Sequence, residues 1–144
     1  MQSFVFPAVL TPQPEGGFVV RFPDMPEAIT QGENVSDALS EASDCLEEAF
    51  ANRIAMGLPV PNPSPVGKGC YPVLLPAQMA AKAALYTAVG QAGINKMELA
   101  RRLRCDEKEV RRLLDPRHPS KLWRIEAALA AVGQRLVIGV EAAV

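Results

Sequence analysis

The sequence predicts an α+β chain in two parts: a small antiparallel sheet with one packed helix over residues 1–76, and an all-α helix-turn-helix part over residues 77–144 that ends in a dimerisation strand. Three observations predict it. Short apolar runs punctuated by Gly and Pro fill the front half, and two capped amphipathic helices with one tight corner fill residues 94–114. Charge divides at the same place as composition. Residues 1–76 hold three basic side chains (Arg21, Arg53, Lys68) against nine acidic ones, a net of −6. Residues 77–144 hold twelve basic against seven acidic, a net of +5, hidden in a total of only −1. An acidic front joined to a basic back suits two partners of opposite charge.

The elements follow in order. Phe4–Thr11 and Phe18–Phe22 read as strands, and Gly16-Gly17 supplies the positive φ angles that the hairpin between them needs. Pro7 inside the first run suggests an edge or a bulge. A turn at Pro23-Asp24-Met25-Pro26 leads to a third strand, Ala28–Gln31, stopped by Gly32. Asn34 then caps a helix with Asp37 as its box partner, and its stripe runs Ala38, Leu39, Ala42, Cys45, Leu46, Ala49, Phe50 and Ile54 before a stop near Gly57. Pro59, Pro61, Pro63 and Pro65 hold residues 58–66 extended, an exposed stretch that a protease could open. Tyr71–Leu75 is one more strand returning to the sheet.

Ala77–Ala92 is an alanine-rich helix ended by Gly93. Asn95 with Glu98, and Asp106 with Glu109, spell two successive capping boxes, with Ile94 and Leu99 as a hydrophobic staple on the first. Ala100 faces the helix crossing, and Leu99, Leu103, Val110 and Leu113 fill the core, leaving Lys108, Arg111 and Arg112 to solvent. Arg104 stands in the corner where proteins of the phage-repressor type usually have Gly, and Lys96 where they often have Gln. A left-handed Arg costs about 1 kcal/mol, so a turn of different shape is expected. Asp115–Pro119 is a stiff loop, Ser120 caps a last helix with the stripe Leu122, Ile125, Leu129 and Val132, and Gly133 stops it. Arg135–Glu141 reads as a strand whose partner is the same strand of a second subunit, giving a homodimer that could pair further into a tetramer.

This plan points to operator DNA. Glu107, Lys108, Arg111 and Arg112 would reach the major groove, Glu107 accepting from a cytosine amino group and Arg binding guanine bidentately. Lys96, Arg117, His118 and Lys121 would hold phosphates and set the register. Trp123 reads as a core residue, with DNA backbone or a subunit neighbour as the other option. A dimer would set two recognition helices about 34 Å apart on a near-palindromic site.

Several classes fall away. Cys45, Cys70 and Cys105 are odd in number with no Cys-x-x-Cys spacing, which suits buried free thiols in a reducing cytoplasm. No run reaches the length of a membrane span, and no basic region precedes the first apolar residues as in a signal peptide. His118, the only histidine, has no nucleophile beside it, and no phosphate-binding glycine motif occurs. Neither a cofactor nor a metal is expected.

The run Pro14-Glu15-Gly16-Gly17-Phe18 through Phe22-Pro23-Asp24-Met25-Pro26 to Thr30-Gln31-Gly32, followed by Asn34-Val35-Ser36-Asp37-Ala38, resembles the N-terminal domain of HicB antitoxins. The stretch from Lys82-Ala83-Ala84-Leu85-Tyr86 to Gly133-Gln134-Arg135-Leu136-Val137 resembles the helix-turn-helix domain of many members. This resemblance implies that the front half covers the active site of HicA, a small basic toxin that cleaves messenger RNA, while the back half represses the shared operon. It also implies a partial ribonuclease H-like fold for the front half, so a two-metal nuclease has to be weighed. Asp37, Glu41, Asp44 and Glu48 share one helix face, but that face lies opposite the core, and no strand offers a central carboxylate. The expectation is therefore no enzyme and no catalytic residue. Asp24 and Met25, at an exposed turn, are either toxin contacts or a plain chain reversal. The alternative to an antitoxin is a stand-alone repressor whose front domain senses a ligand or aids assembly.

Overall fold

A computed structural model describes residues 1–143. The chain divides into two compact units, residues 1–80 and a second that begins at Ala81.

The first unit is a four-stranded antiparallel sheet with one long helix. The strands β1 (Val5–Pro12), β2 (Phe18–Phe22), β3 (Met25–Gly32) and β4 (Tyr71–Leu74) lie in the order β3-β2-β1-β4. Gly16 and Gly17 turn the first hairpin at φ 100° and 77°. Helix α1 (Val35–Ala55) covers one sheet face, and Phe6, Ala8, Val20, Phe22, Met25, Ala28, Ala38, Ala42, Leu46 and Phe50 form the core between them. The Phe6 and Phe50 rings meet edge to face, with centroids 5.4 Å apart. Asn34 caps α1 by accepting from the Asp37 amide, and Asp37 in turn accepts from the Glu33 amide, a box displaced by one residue.

Pro7 lies within the sheet rather than at its edge, because β1 is flanked on both sides. It is nevertheless harmless there. β1 pairs with β4 over Val5–Ala8 and with β2 only from Val9 onward, and Pro7 faces Pro72. The Leu75 amide donates to the Phe4 carbonyl, so the hydrogen-bonded pairs on that side fall at even-numbered residues of β1. The Pro7 nitrogen therefore points to the β2 side of β1, along a stretch that β2 does not pair.

The second unit packs helices α2 (Ala77–Ala92), α3 (Lys96–Leu103), α4 (Glu107–Leu114) and α5 (Leu122–Ala131), with α2 beginning just before the unit boundary. Leu85, Ala88, Leu113, Ile125, Ala128 and Leu129 form one buried cluster; Leu99, Ala100 and Val110 form another, with Leu103 beside both. Gly93 and Gly133 follow helix ends at φ 65° and 80°.

Residues 135–141 form no strand in the single chain, where no other strand of the unit could pair with them; the expected strand is one between two subunits. Three other sequence expectations need correcting here. Ser120 does not cap α5: the capping position is Lys121, without a side-chain bond. Cys45 and Cys105 are half-buried rather than buried, and Cys105 sits in the α3–α4 turn, not on a helix. Trp123 is no core residue, being 59% exposed.

Candidate functional site

In the first unit the turn between β2 and β3 shrinks to Pro23-Asp24, because Met25 already pairs with Phe22. A register shift beside Arg21 and Phe22 lets Met25 and Ala28, three apart, both face α1. Met25 is fully buried, against the expectation that the turn exposes it. Asp24 is half-buried and occupied: its carboxylate accepts from the Ser64 amide at 2.8 Å and hydroxyl at 2.6 Å. The proline segment is further held where Arg53 donates to the Pro59 carbonyl at 3.2 Å, while a second face of that guanidinium pairs with Glu27. The Glu27 carboxyl is lowered below its ordinary pKa by that hydrogen bond. Asp37, Glu41, Asp44 and Glu48 are all exposed, and no group of three His, Cys, Asp or Glu that could hold a metal ion occurs among the described residues.

The second unit carries the more defined site. α3 and α4 are eight-residue helices joined by the three residues Arg104–Asp106. The Asn95 side-chain Oδ1 caps α3 by accepting from the Glu98 amide at 2.8 Å, and the Asp106 Oδ1 caps α4 by accepting from the Glu109 amide at 2.9 Å. The corner is the left-handed one after all: Arg104 has φ 55° and ψ 45° and is the only non-glycine residue at positive φ among the described residues. Its amide and that of Cys105 close the end of α3 on the Arg101 and Ala100 carbonyls.

The reciprocal halves of both capping boxes are diverted. The Glu98 carboxylate takes Arg101 and Arg102, and hydrogen bonds from these two hold its pKa at about 2. The Glu109 carboxylate takes Arg124 of α5 at 2.8 Å. Arg102 also donates to the Ala131 carbonyl at 3.0 Å, tying α3 to the end of α5. These arginines are structural. Lys108, Arg111 and Arg112 are different: they are exposed on α4, and no carboxylate pairs with any of them among the described residues. Glu107 is exposed in the first turn of the same helix, and Lys96 opens α3, also exposed.

Arg117, His118 and Lys121 are exposed in the connection from α4 to α5. The loop folds on Asp115, whose carboxylate accepts from the Arg117 amide at 2.9 Å and whose carbonyl accepts from that of His118 at 3.2 Å. A cavity of about 310 Å³ brings Arg112, His118 and Lys121 together with Ser120, Trp123 and Arg124. Arg111, Lys108, Glu107, Lys96 and Arg117 stand outside it.

Beneath this surface lies Lys82 of α2, 2% exposed, a residue that sequence reading missed. Its ammonium donates to the carbonyls of Arg112 (2.9 Å) and Asp115 (2.8 Å) and to the Ser120 hydroxyl (2.9 Å), which uses all three protons. Burial pushes its pKa down to about 8, with the Asp115 carboxylate acting the other way. One buried cation therefore joins the end of α4 to the loop that precedes α5. A lysine amid alanines was the available signal, but helical periodicity alone does not reveal partners more than thirty residues away.

Among the described residues no helix is long and apolar enough to cross a membrane. Residues 5–84 match the family described as HicB_like antitoxin of bacterial toxin-antitoxin system. Antitoxin HicB of Escherichia coli is 38% identical over 131 residues, which span 91% of this chain and 95% of that protein. Antitoxin HicB 1 of Photorhabdus laumondii is 35% identical over 98% of this chain and 90% of its own length, and Antitoxin HicB of Pseudomonas fluorescens 36% over 83% of each. On this family match and these near-full-length relatives, the chain belongs to the HicB-like family, the antitoxin component of bacterial toxin–antitoxin systems.

Proposed function

We propose that this antitoxin has two duties, divided between its two halves: residues 1–76 cover and neutralise a HicA-type toxin that cleaves messenger RNA, and residues 77–144 bind operator DNA and repress the operon that encodes both. The observation that carries the DNA duty is the distribution of ion pairs. Arg101, Arg102 and Arg124 are neutralised by Glu98 and Glu109, whereas no carboxylate among the described residues pairs with Lys108, Arg111 or Arg112 on α4. Such cations on the second helix of a capped, three-residue-turn pair suit a major groove. Glu107, Lys108, Arg111 and Arg112 reach the major groove in this reading, and Lys96, Arg117, His118 and Lys121 are the phosphate contacts.

The net charge of −6 on residues 1–76 supports a basic protein as the other partner, since complementary charge speeds association and rejects wrong partners. Dimerisation runs through residues 135–141. Val137, Ile138 and Val140 are exposed there in the single chain, as expected of a strand that pairs only with a second copy. The working compartment is the cytoplasm.

Binding of the full chain to duplex DNA from upstream of its own reading frame tests the repressor duty. Arg111→Ala is expected to cost about 1–3 kcal/mol on that DNA and much less on random sequence. Equal losses on both would remove Arg111 from base reading. Co-expression with the neighbouring short reading frame tests the antitoxin duty: growth arrest by that frame should be relieved by the full chain and by Arg111→Ala alike.

A further inference from the structure

The cavity between the end of α4 and the start of α5 is more than a place where two expected phosphate contacts meet. Arg112 reaches it from α4, His118 and Lys121 from the loop, and Trp123 and Arg124 from the first turn of α5. Arg124 is already paired with Glu109, and its guanidinium lies 4.9 Å from the centre of the Trp123 ring. The cations left to a ligand are therefore Arg112 and Lys121, with His118 as a further hydrogen-bonding group. The indole is held on one side by Arg124 and is 59% exposed. α5 also starts with no side-chain cap, so its first amides are not taken by a capping side chain. The walls are tied together, because the Lys82 ammonium bonds the Arg112 carbonyl and the Ser120 hydroxyl at once.

We propose that this cavity is a phosphate-binding site, in which Arg112, here a phosphate contact rather than a base reader, and Lys121 neutralise the anion, His118 supplies a hydrogen bond, and the Trp123 ring packs on the sugar or base carried by the phosphate. The ligand class is a nucleotide phosphate. Resting on the DNA-binding reading above, the occupant is a backbone phosphodiester of the operator; a free nucleotide presents the same chemistry. Compared with a surface contact, the cavity adds an aromatic platform, and stacking on such a ring is sequence-tolerant.

Trp123 is the only tryptophan in the chain, so its emission reports on the cavity directly. The test titrates the full-length protein with duplex DNA from upstream of its reading frame, with random duplex, and separately with ADP, following Trp123 fluorescence and DNA affinity against salt. Expected for the wild type is an emission change with both duplexes. Lys121→Ala should weaken operator and random DNA by a similar factor of several-fold and reduce the salt slope by about one. An emission change with ADP and no binding of either duplex would support the cavity as a site for a free nucleotide while the repressor reading fails. DNA binding with unchanged Trp123 emission and an unchanged salt slope in Lys121→Ala would overturn the proposal and leave the repressor reading standing. No response to either DNA or ADP would overturn both.

Discussion

Asp24 holds Ser64 through both carboxylate oxygens, one on the amide at 2.8 Å and one on the hydroxyl at 2.6 Å, across forty residues of chain. An extended proline segment makes no hydrogen bonds of its own, so such external fastenings decide whether it lies against the unit. Asp24→Ala is expected to release residues 58–66 and speed limited proteolysis there several-fold, with a stability loss of about 1–3 kcal/mol from the two charge-assisted bonds. Unchanged cleavage would mean that Arg53 on the Pro59 carbonyl and Gln2 on the Asn62 side chain retain the segment.

Gly32, at the end of β3, is required for a steric reason. A Cβ there would collide with the Ala38 backbone in the first turns of α1, atoms that no side-chain rotation can move away. Gly32→Ala should therefore push the helix off the sheet and cost about 1–3 kcal/mol, read from the urea midpoint. Gly16, where a Cβ meets nothing, is a useful contrast, since strain there comes only from its φ of 100°.

Arg104 occupies the left-handed corner between α3 and α4 without glycine's freedom. Arg104→Gly removes a conformational cost of about 1 kcal/mol and adds back part of it as unfolded-chain entropy. The expected net gain is about 0.5 kcal/mol in thermal or urea unfolding of the second unit. Arg104→Val should lose more than 1 kcal/mol, because β-branching makes positive φ worse. A loss on Arg104→Gly would show that the arginine side chain compensates elsewhere.

Lys82 gives the protein a pH dependence above neutrality. Its pKa is about 8 in the fold against 10.5 in the unfolded chain, so between these values the unfolded state binds more protons. Stability from this group is therefore fully present above pH 10.5 and is lost as pH falls through about 8, by on the order of 3 kcal/mol in total. Lys82→Met lacks the titration. At pH 7 the loss of three hydrogen bonds and the relief of a buried charge oppose each other, so the variant should lie within about 2 kcal/mol of wild type. The informative quantity is the difference between the two in urea titrations from pH 7 to 10, where wild type alone should gain. A flat difference would mean that the amine keeps its ordinary pKa.

The sequence by itself determined what depends on neighbours a few residues apart. Asn34, Asn95 and Asp106 cap the helices that their positions announced, and Gly57, Gly93 and Gly133 follow the helix ends at positive φ. The hairpin glycines and the apolar stripes of α1, α3 and α4 are equally local, because helical period, strand alternation and capping bonds all close within one or two turns of chain. Tertiary structure decided which groups meet across the chain. It buried Met25 through a register shift, exposed Trp123 on a helix whose core stripe begins two residues later, and gave the Glu98 and Glu109 carboxylates to arginines instead of to their own caps. It also turned Lys82 inward, toward acceptors at positions 112, 115 and 120. Burial and ion pairing are set by the packing of segments far apart in sequence, and the free energy of each contact depends on the dielectric and the competitors that packing supplies. For the same reason residues 135–141 read as a strand yet form none alone: a strand is completed by a neighbour, and the single chain supplies none in that unit.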